Sequence, residues 1–345
     1  MKDNMKNLLL FLTIFFALEI NLYAQENRVI ILQPKNLSKD SQLDWISQTF
    51  SKSIQLELRK DKFKADILDS IPSSISPNEY LILSAFKKFN DRIIFFINFV
   101  RKGSSTIDNS SDMDLIDSIS IAFIPDIIYE TKTYVSRLAR LYITSNAKIS
   151  SAKFNPVSYK FSSEKMTKLS EILGRVQSNV NYEDIIMNPA EQDGWLRAGI
   201  DKMKKGEISY GLSFISRYIS KICPEFSSEE ELLKNDKINL AMDILKITLP
   251  GESKERSEAL KLFVISQFFG DFSENEIKNL SSSIEKDRFL WMAMKKLGDI
   301  YFARGDYRSS LTYFRDYIST TNEGIGFIMN ISKPISLVEE LSRGF

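Results

Sequence analysis

Tyr80-Leu81-Ile82-Leu83-Ser84-Ala85-Phe86-Lys87, then Asn90-Asp91, then Arg92-Ile93-Ile94-Phe95-Phe96-Ile97-Asn98-Phe99-Val100-Arg101: two apolar runs separated by a turn-forming pair predict a β-hairpin. Ile93, Phe95, Ile97 and Phe99 alternate with Ile94, Phe96 and Val100, so both faces of the second strand are apolar and both need cover. Upstream, Val29-Ile30-Ile31-Leu32 predicts a short buried strand closed by Pro34. Leu43, Ile46, Phe50, Ile54 and Leu58 then recur every three or four residues, which places a helix from about Leu43 to Lys60. Downstream, Ser118 to Phe123 predicts another strand, running into Pro125-Asp126, a proline and an acid suited to a first helical turn. Ile128, Thr131, Val135, Leu138 and Tyr142 continue at helical spacing. These elements predict a small α+β or α/β domain over residues 25–145.

The order of these elements resembles the TolB amino-terminal-like domain over roughly residues 27–143. The resemblance rests on Val29-Ile30-Ile31-Leu32-Gln33-Pro34-Lys35-Asn36-Leu37-Ser38, on Asp44-Trp45-Ile46 opening the helix, and on Tyr80-Leu81-Ile82 with Asn90-Asp91-Arg92-Ile93 in the hairpin. It implies a bacterial envelope protein whose α/β domain takes part in assemblies without being an enzyme. The chain departs from the pattern in lacking a glycine before the second hairpin strand and in carrying a Ser/Asp insertion after Gly103.

Residues 146–163, rich in Ser, Asn and Lys and containing Pro156, read as a linker. From residue 164 to 345 the pattern is helical, with Ser162 placed to cap the first helix and Met166, Leu169, Leu173 and Val176 on one face. Leu297-Gly298, Tyr301, Gly305, Tyr307, Ser310 and Phe314 follow the spacing of a tetratricopeptide repeat. That spacing puts small residues where two antiparallel helices touch, a glycine in the turn, and Tyr301 and Phe314 in the shared core. Trp195, Gly199, Gly206, Gly211 and Ile215 fit a second copy, with Lys202 where the tyrosine is expected; Gly199 and Gly298 lie 99 residues apart, close to three periods of about 34. Leu240 to Leu249, Pro250-Gly251 and Ser257 to Phe269 read as a further helical hairpin. This half, over residues 190–322, resembles tetratricopeptide proteins, so the expected fold is an α/β domain followed by an all-α helical repeat solenoid. The resemblance implies a concave groove for a protein segment, lined by Leu196, Ile200 and Met203 in one repeat and by Met292, Lys295, Asp299 and Phe302 in the last. Lys295 and Asp299 are read as its exposed polar groups, although four residues apart they are also placed to pair along their helix.

Composition narrows the chemistry. The chain of 345 residues contains no histidine, which excludes Ser/His and Cys/His nucleophile pairs, histidine metal ligands and a histidine general base. With 46 basic against 45 acidic residues it has no electrostatic footprint for nucleic acid. Lys2 and Lys6, the apolar run Leu8 to Leu18, and Leu22-Tyr23-Ala24 predict a secretory signal peptide, residues 1–24, cleaved after Ala24, and hence a periplasmic protein with no membrane span after cleavage. The single cysteine, Cys223, is read as a small apolar residue closing a helix before Pro224.

Other clusters read as structural. Asp112, Asp114 and Asp117 lack the glycine and glutamate of a calcium loop and are read as a solvated acidic loop. Glu229, Glu230 and Glu231 mark a helix start. Gly324 and Gly326 lack the context of a dinucleotide fingerprint. No catalytic, metal-binding or cofactor-binding residue is assigned. The expected function is a non-enzymatic periplasmic scaffold binding a protein partner of the cell envelope. The alternatives are a carboxylate-dependent cell-wall hydrolase and a self-associating structural subunit of an envelope or flagellar assembly.

Overall fold

In the computed structural model β4 (Tyr80–Phe89) and β5 (Arg92–Lys102) pair as the expected hairpin, turning at Asn90, whose φ of 55° suits an asparagine. The structure describes residues 28–76, 79–102, 113–147, 162–176, 179–324 and 332–343. The expected leader, most of the linker, and Asp112 and Gly326 lie outside them.

The sheet is mixed, in the order β3-β1-β4-β5-β6, with the two-residue β2 (Lys35–Asn36) beside β4. β1 (Arg28–Leu32) runs parallel to both β3 (Lys64–Leu68) and β4, whereas β5 and β6 (Met113–Phe123) are antiparallel neighbours. Parallel neighbours require a crossover, and α1 (Trp45–Lys60) supplies it between β1 and β3. α2 (Ile128–Ala147) lies beside α1 in the same direction: Ser136 Oγ donates to Ser53 Oγ at 2.8 Å and Arg140 Nε to Asp61 at 2.5 Å. Beneath these helices Phe50 stacks on Phe95 with ring centroids 4.3 Å apart. The free edge at β3 is blunted. Gln33 N–H bonds to Leu68 C=O, so by alternation Ala65 C=O points outward, where Gln55 Nε2 donates to it at 2.7 Å.

The helical half comprises α3 (Ser163–Gly174), α4 (Tyr182–Met187), α5 (Asp193–Lys204), α6 (Ile208–Ile222), α7 (Glu229–Lys234), α8 (Asp236–Thr248), α9 (Arg256–Phe269), α10 (Glu274–Lys286), α11 (Trp291–Arg304), α12 (Tyr307–Gly324) and α13 (Ser332–Arg343). Ser162 accepts from Lys165 N–H at the start of α3, and Ser228 from Glu231 N–H at the start of α7. Two hairpins have the close contacts that small residues permit. In α11/α12 a Cβ on Gly298 would meet the Phe314 ring at 2.5 Å, Ser310 Oγ donates to Gly298 C=O at 2.8 Å, and Gly305 turns the chain at φ 85°. In α5/α6 a Cβ on Gly211 would lie 2.7 Å from the Gly199 carbonyl. Gly298→Ala is expected to overpack the α11/α12 contact and cost about 1–3 kcal/mol, measured by urea melts. α9 packs mainly on α10, with α8 a lesser neighbour, so the hairpin expected across Pro250-Gly251 is the weaker partnership of the two.

The two halves are in direct contact. α4 and the loop after it cover the second face of the sheet: Ile186 joins Ile30, Leu81, Leu83 and Val100, while Ala190 packs on Ile94, Phe96 and Ala122. α6 lies against β6, and α11 and α13 against α2. Arg92 donates to the carbonyls of Phe268, Phe269 and Pro224, and Arg137 to that of Ala303 at 2.8 Å. Among the described residues no helix is long and apolar enough to cross a membrane.

Candidate functional site

A cleft opens where the outer edge of β6 meets α2, α6, α9 and α11. Its volume is about 50 Å³, space for a few water molecules at roughly 10–15 Å³ each. The register of β6 decides what faces it. Asp117 is in phase with Ile119, Ile121 and Phe123, the side chains that point toward α2, and so it is carried into the interior at 2 % exposure. The solvated loop expected around Asp117 is therefore corrected: Met113–Phe123 is strand throughout, with a bulge opposite Phe99/Val100 just before Asp117. In-phase alternation upstream of Ile119 was the signal, masked by three aspartates in six residues.

Asp117 gathers cations from two helices. Its Oδ1 accepts from Arg217 Nη2 at 2.9 Å and from Ser118 N–H at 2.8 Å, and Lys295 Nζ lies 2.8 Å from Oδ2. Lys295 also pairs with Asp299 at 2.7 Å and donates to the Tyr142 hydroxyl at 2.8 Å. Burial works to raise the Asp117 pKa, but Lys295 and Arg217 outweigh it and hold the carboxyl down to about 2. Burial prevails at Asp299, whose pKa is raised although Lys295 opposes the shift. Burial likewise opposes the charge of Lys295, yet Asp117 and Asp299 together keep its pKa above the ordinary lysine value. Two carboxylates, Lys295 and Arg217 thus neutralise one another inside the boundary between the halves.

The seven residues expected to line a groove separate into two groups. Met292, Lys295 and Asp299 line the cleft. Leu196, Ile200 and Met203 are buried, Met203 against Gly211 of α6, and Phe302 is buried with its ring centroid 5.3 Å from that of Tyr307. None of the seven is exposed on an open concave surface. The reading of Lys295 and Asp299 as exposed is corrected, because α11 packs on α2 and Lys295 reaches Asp117 of β6 instead of facing solvent there. Their pairing with each other is present, within the larger network. The serines that line the cleft, Ser118, Ser120, Ser213, Ser216 and Ser220, were not singled out in the sequence; on α6 their spacing of three and four marks a polar stripe on an otherwise apolar helix.

One further buried cation lies behind the cleft. Lys221, at 1 % exposure, donates to Pro189 C=O at 2.6 Å between the rings of Phe96 and Trp195, 5.5 and 5.2 Å from the ammonium. Burial, with Arg217 adding repulsion and Asp117 and Glu191 opposing it, pushes its pKa down to about 7. A lysine pKa lowered in the folded state makes stability rise with pH between about 7 and 10.5, because the unfolded chain binds the proton more tightly. Lys221→Met is expected to stabilise the protein on the order of 2 kcal/mol at pH 7 and to flatten that rise, as read by urea melts across the range.

Cys223 is fully buried, and burial raises its thiol pKa. Among the described residues no group of three or more histidine, cysteine, aspartate or glutamate side chains is placed to hold a metal ion. Compared with protein-family models, with curated proteins and with solved structures, the chain matches none of them.

Proposed function

We propose that the protein is a non-enzymatic interaction protein of the periplasm. In this reading an α/β half resembling the TolB amino-terminal type and a tetratricopeptide-like helical half together hold a protein partner of the cell envelope, and contact is made at the cleft between the halves. The observation that carries the reading is the convergence of β6, α6 and α11 on one narrow cleft whose charged groups already neutralise each other. A site so balanced favours recognition of polar backbone and small side chains over chemistry on a bound substrate. The test is capture from envelope extract with the tagged mature chain, followed by reconstitution with the purified partner. A stoichiometric complex is expected. A mature chain that remains alone in sedimentation with every envelope fraction overturns the reading.

A cell-wall hydrolase using carboxylates is favoured by one observation: Asp117 and Asp299 flank Lys295 with pKa values pushed in opposite directions, a pattern seen in acid/base pairs. The cleft volume weighs against it, since about 50 Å³ does not admit a saccharide ring. Release of soluble fragments from peptidoglycan by the parent chain, lost in Asp299→Asn with the fold retained, is the result that would support it.

A further inference from the structure

α1 buries one side on the sheet and presents the other to solvent. Trp45, Lys52, Leu56 and Arg59, spaced seven, four and three residues apart, fall on one line of the helix, opposite the buried Phe50, Ile54 and Leu58. All four are exposed, Trp45 at 49 % and Leu56 at 63 %, so apolar and cationic side chains share a ridge about 20 Å long. Lys60, Lys62 and Lys64, also exposed, extend it past the last turn of the helix into β3.

Residues 45–64 carry five cations and two acids, Glu57 and Asp61. Both acids are already engaged: Arg140 of α2 bonds Asp61 and reaches Glu57, and Lys60 also pairs with Glu57. Asp44, just before Trp45, accepts from Asn36 Nδ2 at 2.7 Å. The chain as a whole is nearly neutral, with 46 basic against 45 acidic residues, so this positive charge is local and directs a negatively charged surface to one face.

We propose that the outer ridge of α1 docks the protein peripherally on an anionic phospholipid surface, with its cations on headgroup phosphates and Trp45 and Leu56 in the interfacial layer. A bilayer surface offers phosphates and apolar depth side by side along a plane, which is what a straight line of mixed side chains requires. Lysine and arginine stems lie along the apolar boundary while their charges reach the phosphates, and an indole is suited to the same layer. An acidic protein segment answers the cations but leaves Trp45 and Leu56 in water. The surface is separate from the cleft, none of whose lining residues lies on α1.

The test floats the full mature chain with vesicles of phosphatidylglycerol and phosphatidylcholine in equal parts, beside vesicles of phosphatidylcholine alone. Trp45 is an internal reporter, because Trp195 and Trp291 are buried. Binding is expected to the anionic vesicles only, to fall in about 0.5 M salt, and to shift Trp45 emission to the blue with protection from acrylamide quenching. At roughly fivefold per charge, Lys52→Gln/Arg59→Gln is expected to weaken binding about 25-fold with an unchanged melt. Lys254→Gln/Lys261→Gln, which removes two exposed charges from the helical half, is expected to leave it unchanged. No binding, equal binding by Lys52→Gln/Arg59→Gln, or Trp45 as open to acrylamide on vesicles as in solution overturns the proposal. Polyglutamate that binds the parent as tightly as the vesicles and leaves Trp45 quenchable makes the ridge a site for an acidic protein, and overturns the lipid assignment.

Discussion

Asp117→Asn is expected to lower stability by about 3–5 kcal/mol, because it leaves Arg217 without its carboxylate and Lys295 with only Asp299, in an interior where unpaired charge is costly. At roughly 2–4 °C per kcal/mol for a chain of this size the melting temperature falls by about 10 °C. The acid limb carries a second signature. The carboxyl pKa, depressed from 3.8 to about 2, contributes about 2 kcal/mol that is fully present above pH 3.8 and lost as pH falls through about 2. The raised pKa values of Asp299 and Glu276 act with the opposite sign, since the folded state there prefers the protonated acid. Urea melts from pH 2 to 7 separate the contributions: Asp117→Asn removes the low-pH loss, and Asp299→Asn costs at least about 2 kcal/mol less than Asp117→Asn. A variant within about 1 kcal/mol of the parent contradicts the assignment of Asp117 as the central charge.

Arg256→Ala is expected to cost a comparable 3–5 kcal/mol, and here the damage lies wholly within the helical half. Arg256 is buried at the start of α9, where its Nε donates to Asp287 at 2.7 Å and its terminal nitrogens to the carbonyls of Leu249, Pro250 and Gly251. One guanidinium thus closes the α8–α9 turn and ties it to the end of α10, a task suited to a planar fork of donors. Its removal strands the fully buried Asp287 carboxylate and three carbonyls. The double variant Arg256→Met/Asp287→Leu is expected to recover part of the loss, because the unpaired charge goes with it. Thermal melts of the three proteins check this, and a double variant no better than Arg256→Ala would place the cost in the turn carbonyls.

Hydrophobic periodicity reached far into this molecule. The hairpin, the helix ending at Lys60, the strand that includes Ser118–Phe123, and the helices on either side of Pro250-Gly251 all follow from side-chain spacing, because each buries one face or both against a neighbour nearby in the chain. Gly298 with Phe314 was legible for the same reason: two helices joined by a short turn must touch where the side chains are smallest. β3 was not legible. Of Lys64, Ala65, Asp66, Ile67 and Leu68 only Ala65 is fully buried, so an edge strand held by β1 on one side carries no clear alternation.

Residues brought together from distant parts of the chain were decided by tertiary structure alone. Asp117, Tyr142, Arg217 and Lys295 meet because the helical half docks along the edge of β6 and over α2. That docking turns the face of α11 carrying Lys295 and Asp299 inward, where helical spacing by itself allowed it to face a groove. Local sequence sets which face of an element is apolar, since that depends on a period of two or 3.6 residues. Which distant surface covers that face, and which charges it encloses, depends on how whole elements pack. For this protein the elements and their apolar faces were written locally, and the cleft exists only in the assembled chain.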